Sequence, residues 1–322
     1  MRLAMEQKRD WLSRKNPGLP ADPVLGTMNF GKRTSEAEAV RIMQRAVERG
    51  VDWFDTANAY GESEAIIGRF LHDNPKAARI STKAGIGNMA GSREGLSAKV
   101  LRAALEQSLR RLQVEQIDLY YLHAPDRSTP IQETIAVMAE AIEAGKIGAW
   151  GVSNFSSWRI AEINQACGEL PRPRVSQVLY NLLIRQLDLE YFDFAAHTGI
   201  HTTVYNPLAG GLLAGKGADQ VQPGSRFDGN AIYQRRYLTN RLRELAQAYA
   251  ALARDAGVDR VLLAYSWLTN HPGVDSVLLG PASVEQLDVG IAGCQRPLEE
   301  ALREKIDEIH RAFAGTDVSY AR

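Results

Sequence analysis

Cysteine is almost absent from this 322-residue chain: Cys167 and Cys294 stand far apart, with no CxxC pair and no Cys/His cluster. That argues against a disulfide framework or a zinc site, and a reducing, cytoplasmic setting is expected. An excess of charge of either sign is also missing. Lys and Arg total 38, as do Asp and Glu, so no net field draws the chain to nucleic acid or to an anionic membrane, and any anion must be met by a local pocket. Long apolar runs are lacking too: none approaches bilayer length, and the opening MRLAMEQKRDWLSRKNPGLPAD has no continuous apolar core of a secretory signal. Neither a membrane nor a nucleic acid is expected as a partner. Up to about Asp22 the chain is too polar and too interrupted by proline to assign a regular element, so residues 1–23 read as an irregular or mobile arm.

What is present is ample core material, 45% hydrophobic residues against 24% charged, arranged as a repeating alternation. The apolar runs VLGT (24–27), VDWFDT (51–56), ARISTK (78–83), IDLYYLH (117–123), IGAWGVSN (147–154), RVSQVLYN (174–181), HTTVYNP (201–207) and DSVLLG (275–280) are separated by segments of helical period. Strand and helix in alternation signal a parallel sheet covered by helices, and eight such strands suggest one closed (β/α)8 barrel, the TIM-barrel form of the α/β class, over residues 24–322.

Helix boundaries can be read from capping chemistry. Ser35 and Glu38 have capping-box spacing, with Gly50 as terminator. Ser97 opens a segment with Leu101, Ala104, Leu105, Ser108 and Leu112 on one face. Thr129, Pro130 and Gln132 suggest a cap, a first-turn proline and a second box before a helix ending at Gly145; Ser283 and Gln286 repeat the pattern. An extra amphipathic helix is expected over about Leu298–Phe313. One connection, Pro207 to Leu238, is too long and too glycine-rich for an ordinary loop. It follows the seventh strand, on the face where such barrels keep their sites, so it reads as a lid or a cofactor clasp.

In such a barrel the residues that close each strand are the ones to inspect. Here they are polar: Asp55, with Tyr60 just beyond it, then Lys83, His123 and the pair Ser153-Asn154. A phenol is a poor acid at neutral pH unless a cation stabilises its anion, and a lysine held by a carboxylate is such a cation. Tyr60, Lys83 and Asp55 would form that relay, while a neutral His123 would orient a carbonyl, which implies carbonyl reduction. Each residue has a plain alternative. Asp55 reads equally as a turn cap, Tyr60 as a half-buried aromatic, Lys83 as a solvated strand end or a Schiff-base lysine, His123 as a satisfied structural histidine, and Ser153-Asn154 as a helix start. It is their recurrence at consecutive strand ends that favours a site.

The blocks DTANAYGESE, STKAG, IDLYYLHAPD and GVSNFSSW resemble the signature blocks of the aldo-keto reductase superfamily, from about Leu25 to the C-terminus. That resemblance implies a tetrad of Asp55, Tyr60, Lys83 and His123, with Tyr60 as general acid, Lys83 lowering its pKa, Asp55 holding Lys83 and His123 directing the substrate carbonyl. It implies NAD(P)H as the redox partner and no metal. It assigns Ser153, Asn154 and Gln177 to the nicotinamide carboxamide and Tyr205 to the face of that ring. The stretches LHAPDRSTPIQET, SNFSSWRIAEI, VYNPLAGGLLAGK, GSRFDGN…YQRRY and the terminal YAR resemble the aflatoxin-aldehyde and succinic-semialdehyde reductase branch. In that branch the loop Asn206–Lys216, with Pro207, Leu208, Gly210, Gly211, Leu212 and Lys216, wraps the pyrophosphate. Arg226 contacts the cofactor, and Arg322 helps hold an acidic substrate, a task suited to a bidentate guanidinium.

At the start of the last barrel helix, Gly280, Ala282, Ser283 and Gln286 match cofactor contacts, whereas Gly290 replaces a common adenine-binding Asn and no Lys or Arg occurs in Gly280–Ile291. NADPH is therefore expected from the branch resemblance, with Arg226 or Lys216 as the phosphate contact, the backbone N–H groups at 280–283 as a further anion seat, and NADH as the alternative. The implied substrate is a small-molecule carbonyl, an aldehyde bearing a carboxylate or a second carbonyl among them, and the branch implies a homodimer. Substrate choice is expected from Gly85–Gly95 and the tail near Tyr320, with Trp53 and Trp158 as further candidates. The other readings are a cofactor-binding regulator resembling potassium-channel β-subunits, a biosynthetic ketone or sugar reductase, and a Schiff-base lyase using Lys83.

Overall fold

A computed structural model describes residues 10–87, 94–217 and 220–315. Eight parallel strands, β1 (Asp22–Gly26), β2 (Trp53–Asp55), β3 (Arg79–Ala84), β4 (Ile117–Leu122), β5 (Ile147–Ser153), β6 (Val175–Leu179), β7 (His201–Tyr205) and β8 (Ser276–Leu279), pair in chain order and close into a barrel. Seven connections carry the enclosing helices α1 (Glu36–Glu48), α2 (Ser63–Asp73), α3 (Ala98–Leu112), α4 (Ile131–Glu143), α5 (Ser157–Cys167), α6 (Tyr191–Thr198) and, between β7 and β8, α7 (Ala231–Tyr237), α8 (Asn240–Asp255) and α9 (Arg260–Thr269). Helices α10 (Val284–Gln295) and α11 (Glu300–Ala314) follow β8, the latter being the extra helix expected from its amphipathic pattern. Among the described residues no helix is long and apolar enough to cross a membrane.

The period of two along each strand divides the apolar residues into two sets. Leu25, Phe54, Ile80, Tyr120, Leu122, Trp150, Val152, Val204 and Val277 join the large core between barrel and helices. Val24, Trp53, Leu119, Tyr121, Ala149 and Val175 form a separate cluster inside the barrel. Gly151 belongs to the inward set: a Cβ there would lie 2.6 Å from the Val175 carbonyl oxygen and 2.9 Å from the Tyr121 ring. The missing side chain is what lets Tyr121 fill the barrel.

Several sequence expectations are modified. Strand β1 begins at Asp22, inside the segment read as an arm, and residues from Asp10 onward are packed although irregular. Leu12 joins the interior cluster, Trp11 meets Trp53 edge-on with ring centroids 4.5 Å apart, and Lys15 Nζ donates to the carbonyls of Thr269 (3.0 Å) and His271 (2.8 Å). Two large apolar side chains outweigh the polar, proline-broken character of their neighbours. Ser35 and Ser283 do cap α1 and α10, accepting from Glu38 N and Gln286 N at 3.3 Å. The box predicted from Thr129 and Gln132 does not form. Thr129 Oγ1 donates instead to Asp126 Oδ2 (2.7 Å), an ionised acceptor that also takes Ser128 N and Leu96 N, so α4 starts with Pro130 as its N-cap and no side-chain cap. The long connection after β7 is not structureless, since it contains a 3-10 turn at Ala209–Gly211 as well as α7.

Gly151→Ala is expected to destabilise the protein by about 1–3 kcal/mol through overpacking against Val175 and Tyr121. Urea unfolding of the two proteins measures this, and an unchanged midpoint would show that the barrel wall yields at no cost.

Candidate active site

The same two-residue period that fills the barrel also selects its polar rim. Asp55, Lys83, His123, Ser153, Gln177 and Tyr205 lie two residues beyond Trp53, Ser81, Tyr121, Gly151, Val175 and Thr203, on the inward face at the C-terminal end of their strands. Tyr60 comes from the β2–α2 loop, which is tied to β3 by Thr56 N donating to Ser81 O (2.8 Å) and Asn58 N donating to Lys83 O (3.0 Å). The four residues expected as a tetrad are thus brought together.

Lys83 is fully buried and its ammonium donates to Asp55 Oδ1, which is buried as well, and to the carbonyl of Thr56 at 2.7 Å. Asp55 Oδ2 accepts from Ser81 Oγ (2.8 Å) and Gln177 Nε2 (2.9 Å). Burial pulls the pKa of Lys83 below its ordinary value, while the charge of Asp55, its hydrogen bond and the charge of Glu64 oppose that pull. Lys83 Nζ lies 5.3 Å from the centroid of the Tyr60 ring. The expectation that Lys83 depresses the Tyr60 pKa does not describe this resting arrangement. Burial, followed by the Asp55 charge, raises Tyr60 well above the usual phenol value, while the Lys83 ammonium donates to Asp55 and Thr56. The phenol is therefore firmly protonated.

His123 packs edge-on to Tyr60, with ring centroids 5.9 Å apart. Burial first, then the Lys83 charge, drive its pKa down to about 3. The imidazole is neutral across the working range and offers one N–H. Its backbone is held by Asn154, which sits in the left-handed region (φ 65°), donates through Nδ2 to His123 O (2.9 Å) and accepts the Tyr205 hydroxyl at 2.6 Å. Tyr205, raised to about 12 mainly by burial, stays neutral.

These groups open into a cavity of about 760 Å³. Asp55, Tyr60, His123, Ser153, Asn154, Gln177, Tyr205, Asn206, Pro207, Leu208, Gly210, Gly211, Lys216, Arg226, Gly280, Ala282 and Gln286 all line it. Lys83 lies behind this lining. Leu212 is buried in the barrel–helix core and Ser283 serves as the α10 cap, so neither reaches the cavity wall. Two of the backbone groups expected at 280–283 are not available to an anion. Pro281 has no N–H, and the Ala282 N–H is taken by Gln286 Oε1 at 3.0 Å. Trp53 is buried inside the barrel behind Asp55 and does not line the cavity, because it begins β2 rather than ending it; Trp158 is exposed on α5 and outside the lining. Gly290 is buried against Leu279 and Tyr265. Arg322, Tyr320 and positions 88–93 of Gly85–Gly95 lie outside the described residues.

Sequence reasoning missed Asn29, Arg33, Tyr233 and Arg236. Asn29 Nδ2 donates to the Gly280 and Pro281 carbonyls at 3.1 Å, while its Oδ1 accepts from Arg226 (2.7 Å). Arg33 donates to the Gly224 carbonyl (2.7 Å) across the cavity rim. The Tyr233 ring lies between Arg226 and Arg236, 5.5 and 5.7 Å from their guanidinium carbons. Clustering of arginines in the loop after β7 was the one available signal. Arg33, Lys216, Arg226 and Arg236 form no ion pair with a carboxylate among the described residues, which leaves their charge for an anionic ligand.

A closed parallel barrel whose open end carries a protonated phenol, a buried ammonium–carboxylate pair and a neutral imidazole defines an enzyme site suited to moving a proton at a carbonyl. The sequence pattern of the Aldo/keto reductase family matches residues 24–311. Aflatoxin B1 aldehyde reductase member 2 of Mus musculus is 35% identical, with 96% of this chain and 90% of that protein covered. Aflatoxin B1 aldehyde reductase member 4 of Homo sapiens is 34% identical, over 94% and 96%. L-glyceraldehyde 3-phosphate reductase of Escherichia coli (strain K12) is 33% identical, over 82% and 80%. The chain belongs to the aldo/keto reductase family and is an oxidoreductase; enzymes of this family use NAD(P)H. The cavity fits that group: it joins an aromatic platform at Tyr205 to four cationic side chains that pair with no carboxylate among the described residues, and Gly210 and Gly211, both at positive φ, bring bare backbone to its wall.

Turnover should show no acid limb from His123 between pH 5 and 8. In the unfolded chain the imidazole takes up its proton near pH 6.5, and in the folded protein only near 3, so its contribution to stability is lost as pH falls through that window. His123→Gln should reduce the fall in melting temperature between pH 7 and 4. A wild-type activity limb near pH 6.5 that vanishes in this variant would contradict a buried, neutral His123.

Proposed function

We propose that the protein reduces aldehydes to alcohols with NADPH, Tyr60 delivering the proton. The observation that carries this reading is the convergence of Tyr60, Lys83, Asp55 and His123 at one end of a cavity lined further along by cations. NADPH, when bound, supplies a hydride to the carbonyl carbon. His123, neutral, donates to the carbonyl oxygen and orients it. As charge develops on that oxygen, the Tyr60 proton moves to it. An alkoxide is a far stronger base than a phenolate, so the transfer runs downhill even from a phenol whose proton is firmly held, and Lys83 stabilises the phenolate left behind. Asp55 keeps Lys83 charged and in place.

Ser153, Asn154 and Gln177 are assigned to the nicotinamide carboxamide and Tyr205 to its ring. Lys216, Arg226 and Arg33 are assigned to the phosphates, which favours the more anionic NADPH over NADH. The relatives' names, aflatoxin B1 aldehyde reductase and L-glyceraldehyde 3-phosphate reductase, support an aldehyde substrate. Arg236, which lines the cavity beside Tyr233 and pairs with no carboxylate among the described residues, favours an aldehyde that carries an anionic group. A Schiff-base role for Lys83 is disfavoured, since its amine is buried, engaged by Asp55 and behind the cavity wall.

Tyr60→Phe should reduce NADPH-dependent turnover of succinic semialdehyde at least a hundredfold while leaving NADPH affinity, read by quenching of tryptophan fluorescence, within about threefold. Wild-type turnover in this variant would remove Tyr60 as the acid. In the wild type, a higher kcat/KM with NADH than with NADPH would overturn the cofactor assignment. Arg236→Ala should raise KM for succinic semialdehyde more than for an uncharged aldehyde, and equal effects would remove the anionic-substrate reading.

A further inference from the structure

Behind the site a chain of hydrogen bonds runs down the barrel axis towards the opposite mouth, and the reaction as described does not use it. Trp53 Nε1 donates to Ser81 Oγ (2.9 Å), and Ser81 Oγ donates to Asp55 Oδ2 (2.8 Å). The direction is fixed by chemistry. An indole N–H can only donate, so Ser81 must accept there, and its single proton is then available only to the carboxylate. Ser81 is fully buried and Trp53 nearly so, and no water-exposed rotamer competes. Asp55 and Ser81 are also direct partners in the β2–β3 register, which holds the two side chains on the same inward face. The indole itself is clamped from below by Trp11, edge-on at 4.5 Å, and Trp11 in turn carries the Arg79 guanidinium 4.8 Å from its ring centre.

The consequence falls on Asp55. Its Oδ2 is saturated by two donors, Ser81 from β3 and Gln177 from β6, and its Oδ1 is left for Lys83. Without the Ser81 proton, the carboxylate carries more of its negative charge towards Lys83 and Tyr60. Lys83 is then more fully neutralised and the phenolate formed during reduction is less well stabilised. We propose that Ser81 and Trp53 are positioning residues for the Asp55–Lys83 pair, Trp53 fixing the Ser81 hydroxyl so that Asp55 holds Lys83 without quenching its charge. The inference rests on the reading of Tyr60 as proton donor. It gives Trp53 a part in the reaction quite different from contact with substrate, and it ties the segment around Trp11 to the site across the length of the barrel.

The test is the pH dependence of kcat for NADPH-driven aldehyde reduction in the full-length wild type, Ser81→Ala, Trp53→Phe and Ser81→Thr, with Tyr60→Phe alongside. Ser81→Ala should lower kcat roughly tenfold, the scale of one hydrogen bond to a charged group, with KM within about twofold. Its alkaline limb, set by loss of the Lys83 proton, should move to higher pH, because a less shielded Asp55 opposes more strongly the downward pull of burial on Lys83. Trp53→Phe keeps a ring against Trp11 but removes the donor, and should shift the limb in the same direction by less. Ser81→Thr, which keeps the hydroxyl, should return the wild-type limb. Should Ser81→Ala fail to fold, Trp53→Phe and Ser81→Thr still decide the matter. Lower melting temperatures with an unmoved alkaline limb would reduce both residues to packing and overturn the proposal. If Tyr60→Phe turns over normally, the underlying reading fails instead. If Tyr60→Phe is inactive while both donor-deleting variants keep wild-type kcat and pH profile, only the positioning role fails.

Discussion

A fully buried ammonium facing a fully buried carboxylate is the constraint around which the open end of this barrel is organised. Each ion alone would be costly to hold out of water, and the pair is tolerable only because the remaining valences are also met. Lys83 has the Thr56 carbonyl as well as Asp55; Asp55 has Ser81 and Gln177 as well as Lys83. These partners come from β2, β3 and β6, so the pair requires the closed barrel, and the barrel interior in turn has to supply hydroxyl and amide groups where a purely apolar filling would pack more simply.

The electrostatic consequences spread outward from that pair. The Lys83 charge, added to burial, holds His123 neutral, while the Asp55 charge, added to burial, holds the proton on Tyr60. Two neighbouring groups are thus kept in the protonation states that an acid and a neutral hydrogen-bond donor need, without either touching a formal counter-ion. Further along the cavity the logic reverses. Among the described residues Arg33, Lys216, Arg226 and Arg236 pair with no carboxylate, and burial followed by the Arg226 charge lowers the pKa of Arg33. Such an arrangement is stable only at a solvated rim and becomes favourable when an anion enters.

Much of this was legible in the sequence because it depends on period and position alone. A strand has a side-chain period of two, so a polar residue two places beyond an inward apolar one must also face inward, at the strand's C-terminal end. Asp55 and His123 follow that rule beyond Trp53 and Tyr121, and Lys83 does so beyond the inward Ser81, whereas Gln177 and Tyr205 were legible only through the family resemblance. Capping at Ser35 and Ser283 was equally local. Local reasoning failed where another side chain offered a stronger partner than the expected one. Thr129 left its predicted cap for Asp126, and of the backbone groups at 280–283 expected to hold an anion, the Ala282 N–H is taken by Gln286.

The sequence by itself determined the alternation of elements, the barrel and the identity of the residues at the strand ends, because those follow from short-range periodicity and from which side chains stand where. Only the tertiary structure decided which charges meet. It put Trp53 behind Ser81 instead of beside a substrate, brought Arg33 of the β1–α1 loop to one cavity with Arg226 and Arg236 of the β7–β8 connection, and set Trp11 and Leu12 against the far end of the barrel interior. The physical reason is that pKa, burial and hydrogen-bond saturation depend on neighbours within a few ångströms in space. In a closed barrel most of those neighbours come from other strands and loops, at distances along the chain that no local pattern records.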